Sequence, residues 1–70
     1  MDQKNSLGKI LKEARIKAKL TQAEVAEGAG IHVNYYARIE RGEVNPTIDI
    51  VDSIAKSLNI KIKFPLETSK

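Results

Sequence analysis

Residues 22–41 read QAEVAEGAGIHVNYYARIER, and this stretch carries the strongest structural signal in the chain. Thr21 precedes it and Glu24 follows at the spacing of a capping box, in which each of these side chains accepts a hydrogen bond from an orphan backbone N–H. A capped helix is therefore predicted to begin here. It is predicted to end near Gly28 or Gly30, because glycine adopts the left-handed conformation that closes a helix.

A second short helix is predicted after this turn. Tyr36 and Ile39 recur at helical spacing on its inner face, and Gly42 ends the pattern. Two helices that cross at a steep angle need a small side chain at their contact, which Ala26 supplies, and Gly30 supplies the tight turn between them. The stretch therefore predicts a helix-turn-helix motif, whose second helix is the one that enters the major groove of DNA.

Amphipathic patterns on both sides of the motif predict two more helices. The first runs from about residue 7 to residue 19, with Ser6 as its N-cap. The fourth begins after Thr47 and ends near Asn59. The inward positions of the first helix are predicted to be Leu7, Ile10, Leu11, Ala14 and Ala18, and those of the fourth are Ile50, Val51, Ile54, Ala55 and Leu58.

The size and composition of the chain limit what it can be. It has 70 residues, no cysteine and a net charge of +3. This length allows one domain, without disulfides or thiolate metal sites, and its small positive excess suits a polyanionic partner without proving one. The apolar runs are too short to span a membrane and the first residues do not resemble a signal peptide, so a cytoplasmic protein is expected.

The periodicity changes after the fourth helix. Ile60, Ile62 and Phe64 alternate with Lys61 and Lys63, which predicts a β-strand. A lone strand leaves its backbone groups unpaired, so these three apolar residues are expected to form a dimerisation element by pairing with the same strand of a second subunit. The alternatives are an extended tail that packs on its own domain and a short fifth helix.

Four segments of the chain, in order and spacing, resemble the phage-repressor and Cro type of helix-turn-helix family, the XRE-like proteins. These segments are residues 20–26 (LTQAEVA), 30–31 (GI), 38–42 (RIERG) and 45–47 (NPT), within a resemblance that spans about residues 7 to 59. The resemblance implies an all-α fold: a compact four- to five-helix, lambda-repressor-like DNA-binding domain at residues 1–59. Residues 60–70, with the short C-terminal β-strand and a tail, depart from the family pattern, which often has a fifth helix there, but are similar to some antitoxin-type members.

The same resemblance implies roles for particular residues. It pairs Arg15 of the first helix with Glu40 at the end of the recognition helix as an internal ion pair, although each could instead be a solvated charge. It implies base contacts by Val33, Asn34 and Arg38, whose side chains suit a thymine methyl, adenine and guanine respectively. For Val33 and Asn34 the alternative is that they only form the first helical turn.

Contacts with the DNA backbone are expected from a further group of residues near the starts of the two motif helices and at the end of the second. This group is Thr21, Gln22, His32, Tyr35 and Arg41. His32 departs from the family pattern, which usually has serine or threonine as the N-cap at this position. Glu43 is acidic near the expected DNA side, which weakens the electrostatic case slightly. Arg41 could instead only complement the negative end of its helix.

The expected function is sequence-specific binding of double-stranded DNA by a homodimeric transcriptional regulator, a repressor that recognises an inverted-repeat operator. The alternative is an antitoxin-like module that neutralises a toxin or other protein partner, through the tail from Ile60 onward or an outer helix face, and that regulates its own operon. An enzyme is not expected, because a single histidine and no cysteine offer little for catalysis. No metal site and no cofactor are expected either.

Overall fold

The computed structural model describes the backbone of residues 3–59 and the side chains of residues 7–59. This part of the chain contains four helices, α1 (Gln3–Lys17), α2 (Gln22–Ala29), α3 (Val33–Glu40) and α4 (Ile48–Leu58). The all-α fold is therefore confirmed, and none of these four helices is both long and apolar enough to cross a bilayer. The strand predicted at residues 60–64 lies outside the described residues.

The start and the buried face of α1 differ from the prediction. The helix begins at Gln3, so Ser6 lies inside it and does not cap it. No glycine or proline precedes Ser6, so nothing in the local sequence prevents an earlier start. Leu11 is fully buried, whereas Ile10, also predicted to face inward, exposes 53% of its surface. Successive helical residues point about 100° apart, so packing centred on Leu11 turns Ile10 towards solvent.

The end of α1 is a turn closed by a lysine. After Lys17, Lys19 takes a positive φ of 61°. The backbone N–H groups of Lys19 and Leu20 donate to the carbonyl oxygens of Ile16 and Arg15, at 2.9 and 3.1 Å. This is the Schellman arrangement, in which glycine normally occupies the left-handed position.

Side-chain caps fix the starts of the other helices. The Thr21 hydroxyl accepts a hydrogen bond from the Glu24 backbone N–H at 3.0 Å, and the Glu24 carboxylate accepts one from the Thr21 N–H at 2.8 Å. The predicted capping box is therefore confirmed. At α3, Nδ1 of His32 accepts from the Asn34 N–H at 3.0 Å, so histidine performs the capping role usually given to serine or threonine. Thr47 caps α4 in the predicted way.

The turn between α2 and α3 depends on one glycine. Gly30 has a φ of 74° and is the C-cap of α2, whereas Gly28 stays inside the helix. Ala26 is 1% exposed, and its carbonyl oxygen accepts a hydrogen bond from the Ile31 N–H at 3.0 Å. The sharp turn and the small contact residue predicted from the sequence are both present.

A single core holds the four helices together. Its buried members are Leu11, Val25, Ala26, Tyr36, Ile39, Ile54 and Leu58. Tyr36 and Ile39 come from the predicted inner face of α3, and both are almost completely buried. Because α3 is anchored by this face, its opposite face remains available to a partner.

Gly8 allows α1 to approach α3 closely, a feature that the sequence analysis did not predict. A Cβ atom at this position would collide with the carbonyl oxygen of Glu40 and would lie 2.6 Å from that of Ile39. Both neighbours are backbone atoms at the end of α3, which cannot easily move aside. An isolated glycine in an amphipathic helix was the available signal, since such a glycine usually has a packing reason.

Candidate nucleic-acid interface

The outer face of α3 presents polar side chains. Asn34 and Arg38 are exposed and stand four positions apart, so they lie on one side of the helix. Val33 and Tyr35 are half-buried, and both pack partly against the core. Of the three residues predicted to contact bases, Asn34 and Arg38 are thus exposed, while Val33 is partly covered by the core.

The starts of α2 and α3 offer groups suited to phosphate. Thr21 and His32 are exposed, each at the N-cap of its helix. Since Nδ1 of His32 accepts the capping hydrogen bond, the neutral imidazole carries its proton on Nε2. That Nε2–H can donate to an anion beside the positive end of the helix.

Gln22 is engaged inside the protein. It is half-buried, and its Nε2 donates to Oε1 of Glu40 at 2.9 Å. The side chain predicted to contact the DNA backbone therefore links the start of α2 to the end of α3. A contact with phosphate would have to come from its backbone N–H, or from a rearranged side chain.

Arg15 and Glu40 form a largely enclosed ion pair. Arg15 Nε donates to Glu40 Oε2 at 2.7 Å, and the two side chains are only 14% and 3% exposed. Arg15 Nη1 also donates to the carbonyl oxygen of Leu20 at 3.0 Å. Burial raises the pKa of Glu40. The hydrogen bonds from Arg15, then the nearby polar hydroxyl of Tyr36 and the hydrogen bond from Gln22, outweigh this effect and hold that pKa below its usual value. The ionised pair thus fixes the end of α3 relative to α1 and α2.

The hydroxyl of Tyr36 lies beneath this pair. It is buried and forms no hydrogen bond with the residues that the structure describes. Burial, followed by the nearby Glu40 carboxylate, raises the pKa of Tyr36 above its ordinary value, so the hydroxyl stays protonated. Tyr36 therefore belongs to the core, and Tyr35 is the tyrosine near the surface.

The end of α3 carries a cluster of three charges that the sequence analysis did not connect. Arg41 Nε donates to Glu43 Oε2 at 2.7 Å, and its Nη2 donates to Oε1 at 3.2 Å. Arg38 Nε lies 3.5 Å from the same Oε1. The hydrogen bonds from Arg41 lower the pKa of Glu43, so this carboxylate is ionised at neutral pH. Two cations predicted to contact DNA thus share one acidic partner.

Comparison with known proteins identifies the same helix-turn-helix segment. A family model described as "Helix-turn-helix" matches residues 11–64, which include α2, the Gly30 turn and α3. The chain belongs to the helix-turn-helix family. This family is one of DNA-binding transcriptional regulators, in agreement with the expectation that these residues form a regulatory domain and not an enzyme.

Several helix-turn-helix proteins are similar in sequence. The immunity repressor protein of Bacillus phage phi105 is 35% identical over 57 residues, which cover 81% of this chain and 40% of that protein. The cryptic phage CTXphi transcriptional repressor RstR of Vibrio cholerae is 33% identical over 52 residues, or 74% of this chain and 47% of that protein. The chain thus spans less than half the length of these two repressors.

Two similar proteins that are nearer to this chain in length are control or controller proteins. Control protein C.SmaI of Serratia marcescens is 34% identical over 62 residues, which cover 89% of this chain and 74% of that protein. The crystal structure of the restriction-modification controller protein C.AhdI from Aeromonas hydrophila superposes with a TM-score of 0.84 at 26% identity, covering 87% of this chain and 92% of that one. The four-helix arrangement is thus that of a known helix-turn-helix protein.

Proposed function

We propose that this chain binds double-stranded DNA sequence-specifically, as a dimeric transcriptional regulator that acts as a repressor. The observation that carries the proposal is the two-sided character of α3. Tyr36 and Ile39 are buried in the core, while Asn34 and Arg38 are exposed on the outer face. An α-helix fits the major groove, where asparagine pairs bidentately with adenine and arginine with guanine.

In this proposal the base-reading residues are Val33, Asn34 and Arg38. Asn34 has the best position, because it is exposed in the first turn of α3 and only its backbone N–H is used by the His32 cap. Arg38 is 54% exposed and lies one turn further along the helix. Val33 would contribute only the part of its side chain that the core leaves uncovered.

The residues that hold the DNA backbone would lie around this reading face. Thr21 and His32 are exposed at two helix N-termini, which attract anions through their unpaired N–H groups. Gln22, Tyr35 and Arg41 complete this group. Arg41 is 57% exposed but holds Glu43, a restriction that the next subsection develops.

We propose further that two copies bind together through the segment that contains Ile60, Ile62 and Phe64. This segment lies outside the described residues, and its alternating pattern would give an antiparallel ribbon across a two-fold axis. The apolar face of this segment would cover the groove next to the end of α4. That groove is lined partly by the half-exposed Ile10 and by Leu58. Such an axis would place two recognition helices about 34 Å apart, so the operator would be an inverted repeat.

The names of the relatives support the regulatory part of the proposal. Two of them are called repressors and two are called control or controller proteins. A regulator of this kind acts where the DNA is, so we propose a cytoplasmic location. The antitoxin alternative places toxin binding at the tail from Ile60, which lies outside the described residues, or at an outer helix face. No observation on the described residues favours it.

Selection of bound sites from a pool of random duplex DNA tests the proposal. The expected result is enrichment of one sequence with two-fold symmetry and half-sites about one helical turn apart. Recovery of a single unrepeated half-site would remove the dimer from the proposal, and no enrichment over the input pool would contradict sequence-specific binding. Sedimentation of the chain truncated after Asn59 tests the dimer separately: a shift towards monomer is expected, and an unchanged dimer would contradict the role of residues 60–64.

A further inference from the structure

Glu43 stands in a fixed position beside Arg38 and Arg41. Gly42 takes a left-handed φ of 77°, and its N–H donates to the carbonyl oxygen of Ile39 at 3.0 Å. The Glu43 N–H then donates to the carbonyl oxygen of Arg38 at 2.9 Å. The backbone of Glu43 is thus held against the last turn of α3, so its carboxylate meets the two arginines without a large loss of conformational freedom.

The two arginines are paired unequally with this carboxylate. Arg41 makes two hydrogen bonds to Glu43, a fork that matches the geometry of a carboxylate and of a phosphate equally well. Arg38 makes only the longer contact of 3.5 Å. Arg38 can therefore leave for another partner more easily than Arg41 can.

We propose that Glu43 is an intramolecular competitor of DNA phosphate for Arg41, and that it restrains the sequence-independent part of DNA binding. The inference rests on the proposed DNA-binding function and names a residue that adjusts it. A phosphate can take the Nε and Nη2 donors of Arg41 only by replacing the Glu43 carboxylate, and that carboxylate also repels the phosphate. Arg38 stays available for contact with a base because its ion pair with Glu43 is longer, at 3.5 Å, and therefore weaker.

Phosphate contacts supply most of the affinity for random DNA and its salt dependence. Removal of the Glu43 charge should release Arg41 to make one more such contact. The expected consequence is tighter binding to DNA of any sequence, accompanied by a steeper dependence on salt. This dependence separates a new phosphate contact from a change in folding, which would not steepen it.

The experiment measures the affinity of the full chain for a random-sequence duplex over a range of salt concentrations, with wild type and Glu43→Gln. Glutamine keeps the shape of the side chain without its charge. A melting curve verifies that the variant folds. Glu43→Ala serves as a second variant that also lacks the carboxylate. We expect Glu43→Gln to bind random DNA about threefold to tenfold more tightly at low salt. The slope of log K against log salt should become more negative by about 0.9, the value for one added phosphate contact.

Asp52→Asn is the matched control. Asp52 forms an exposed pair with Lys56 at 3.2 Å on α4, away from the end of α3, and its substitution changes the net charge by the same amount. We expect this variant to leave the salt slope as in wild type, because neither Asp52 nor Lys56 is among the residues proposed to contact phosphate, so no phosphate contact is gained.

A cycle with Arg41→Gln tests the route of the effect. In the Glu43→Gln background, Arg41→Gln should remove the whole gain in binding to random DNA. In wild type, where Glu43 already occupies two donors of Arg41, the same substitution should weaken binding by a smaller factor. The inference would be overturned if Glu43→Gln still bound random DNA more tightly in the absence of Arg41. It would also be overturned if the salt slope of Glu43→Gln equalled that of Asp52→Asn. Either result would leave the DNA-binding proposal intact. Failure of wild type to bind any duplex would overturn the proposed function itself.

Discussion

Arg15 donates from Nε to Oε2 of Glu40 at 2.7 Å, and this contact joins the last turn of α1 to the last residue of α3. The same carboxylate accepts from Gln22 at the start of α2. Three helices therefore meet at one enclosed anion. The orientation of the proposed recognition helix depends on this point.

Arg15→Ala is expected to destabilise the fold by about 3 kcal/mol, because it leaves the Glu40 carboxylate enclosed without its cation. Chemical denaturation measures the loss. The exposed Lys17→Ala is the matched control and should change the free energy of unfolding by less than about 0.5 kcal/mol. Replacing both partners, in Arg15→Met with Glu40→Leu, should cost less than Arg15→Ala alone. A midpoint for Arg15→Ala equal to wild type would show that the pair contributes nothing.

Acid should weaken the fold through Glu40. Its pKa in the folded chain is held below the ordinary value of 4.5. The stability that the ionised carboxylate contributes is therefore complete above that value and is lost as the pH falls through the lower folded pKa. In Glu40→Gln this contribution is missing at every pH. We expect the difference in melting temperature between wild type and Glu40→Gln to be largest near neutrality and to shrink as the pH falls below 4.5; a constant difference would contradict the assignment.

Gly8→Ala separates helix propensity from packing. Propensity alone predicts a gain of about 1 kcal/mol in a helix. The collision of a Cβ with the backbone oxygens of Ile39 and Glu40 predicts a net loss of about 1–3 kcal/mol. Gly28→Ala is the comparison, because there the Cβ meets mainly the side chain of Ser57, which can rotate away at the cost of its hydrogen bond to the Val25 carbonyl oxygen. A more stable Gly8→Ala protein would show that α1 can move away from α3 at little cost.

Lys19→Gly should stabilise the chain. Lys19 adopts a φ of 61° at the end of α1, a conformation that glycine takes without steric cost. The expected gain is about 0.5–1 kcal/mol in the free energy of unfolding, since part of the relief is offset by the greater freedom of glycine in the unfolded chain. Lys12→Gly, at an exposed position inside α1, should instead lose about 1 kcal/mol. Equal effects at both positions would mean that the left-handed turn carries no strain.

Asn34→Ala should weaken binding to the selected operator by about 1–3 kcal/mol and relax the preference at one base pair. The reason is the exposure of Asn34 on the outer face of α3. Asn45→Ala, in the exposed loop before α4, is the control and should bind as wild type does. Equal weakening of binding to operator and to random DNA would show that Asn34 contacts the DNA backbone and not a base.

Features that depend on neighbours in the chain were predictable from the sequence alone. The capping box of Thr21 and Glu24, the left-handed Gly30 and the cap at Thr47 each join groups only a few residues apart, so the local backbone determines them. The helix-turn-helix followed from these signals. The pairing of Arg15 with Glu40 came from family resemblance, because no periodicity links residues so far apart in the chain.

Only the tertiary structure determined which surfaces meet. The exposure of Ile10, the closeness of Gly8 to the end of α3 and the bond from Gln22 to Glu40 depend on how α1, α2 and α3 pack. A helical pattern fixes spacing along the chain, but the buried direction and the distance between two backbones are set by the side chains of the other helices. The bond between Arg41 and Glu43 is close in sequence, yet it forms only because the Gly42 turn brings the carboxylate back onto α3.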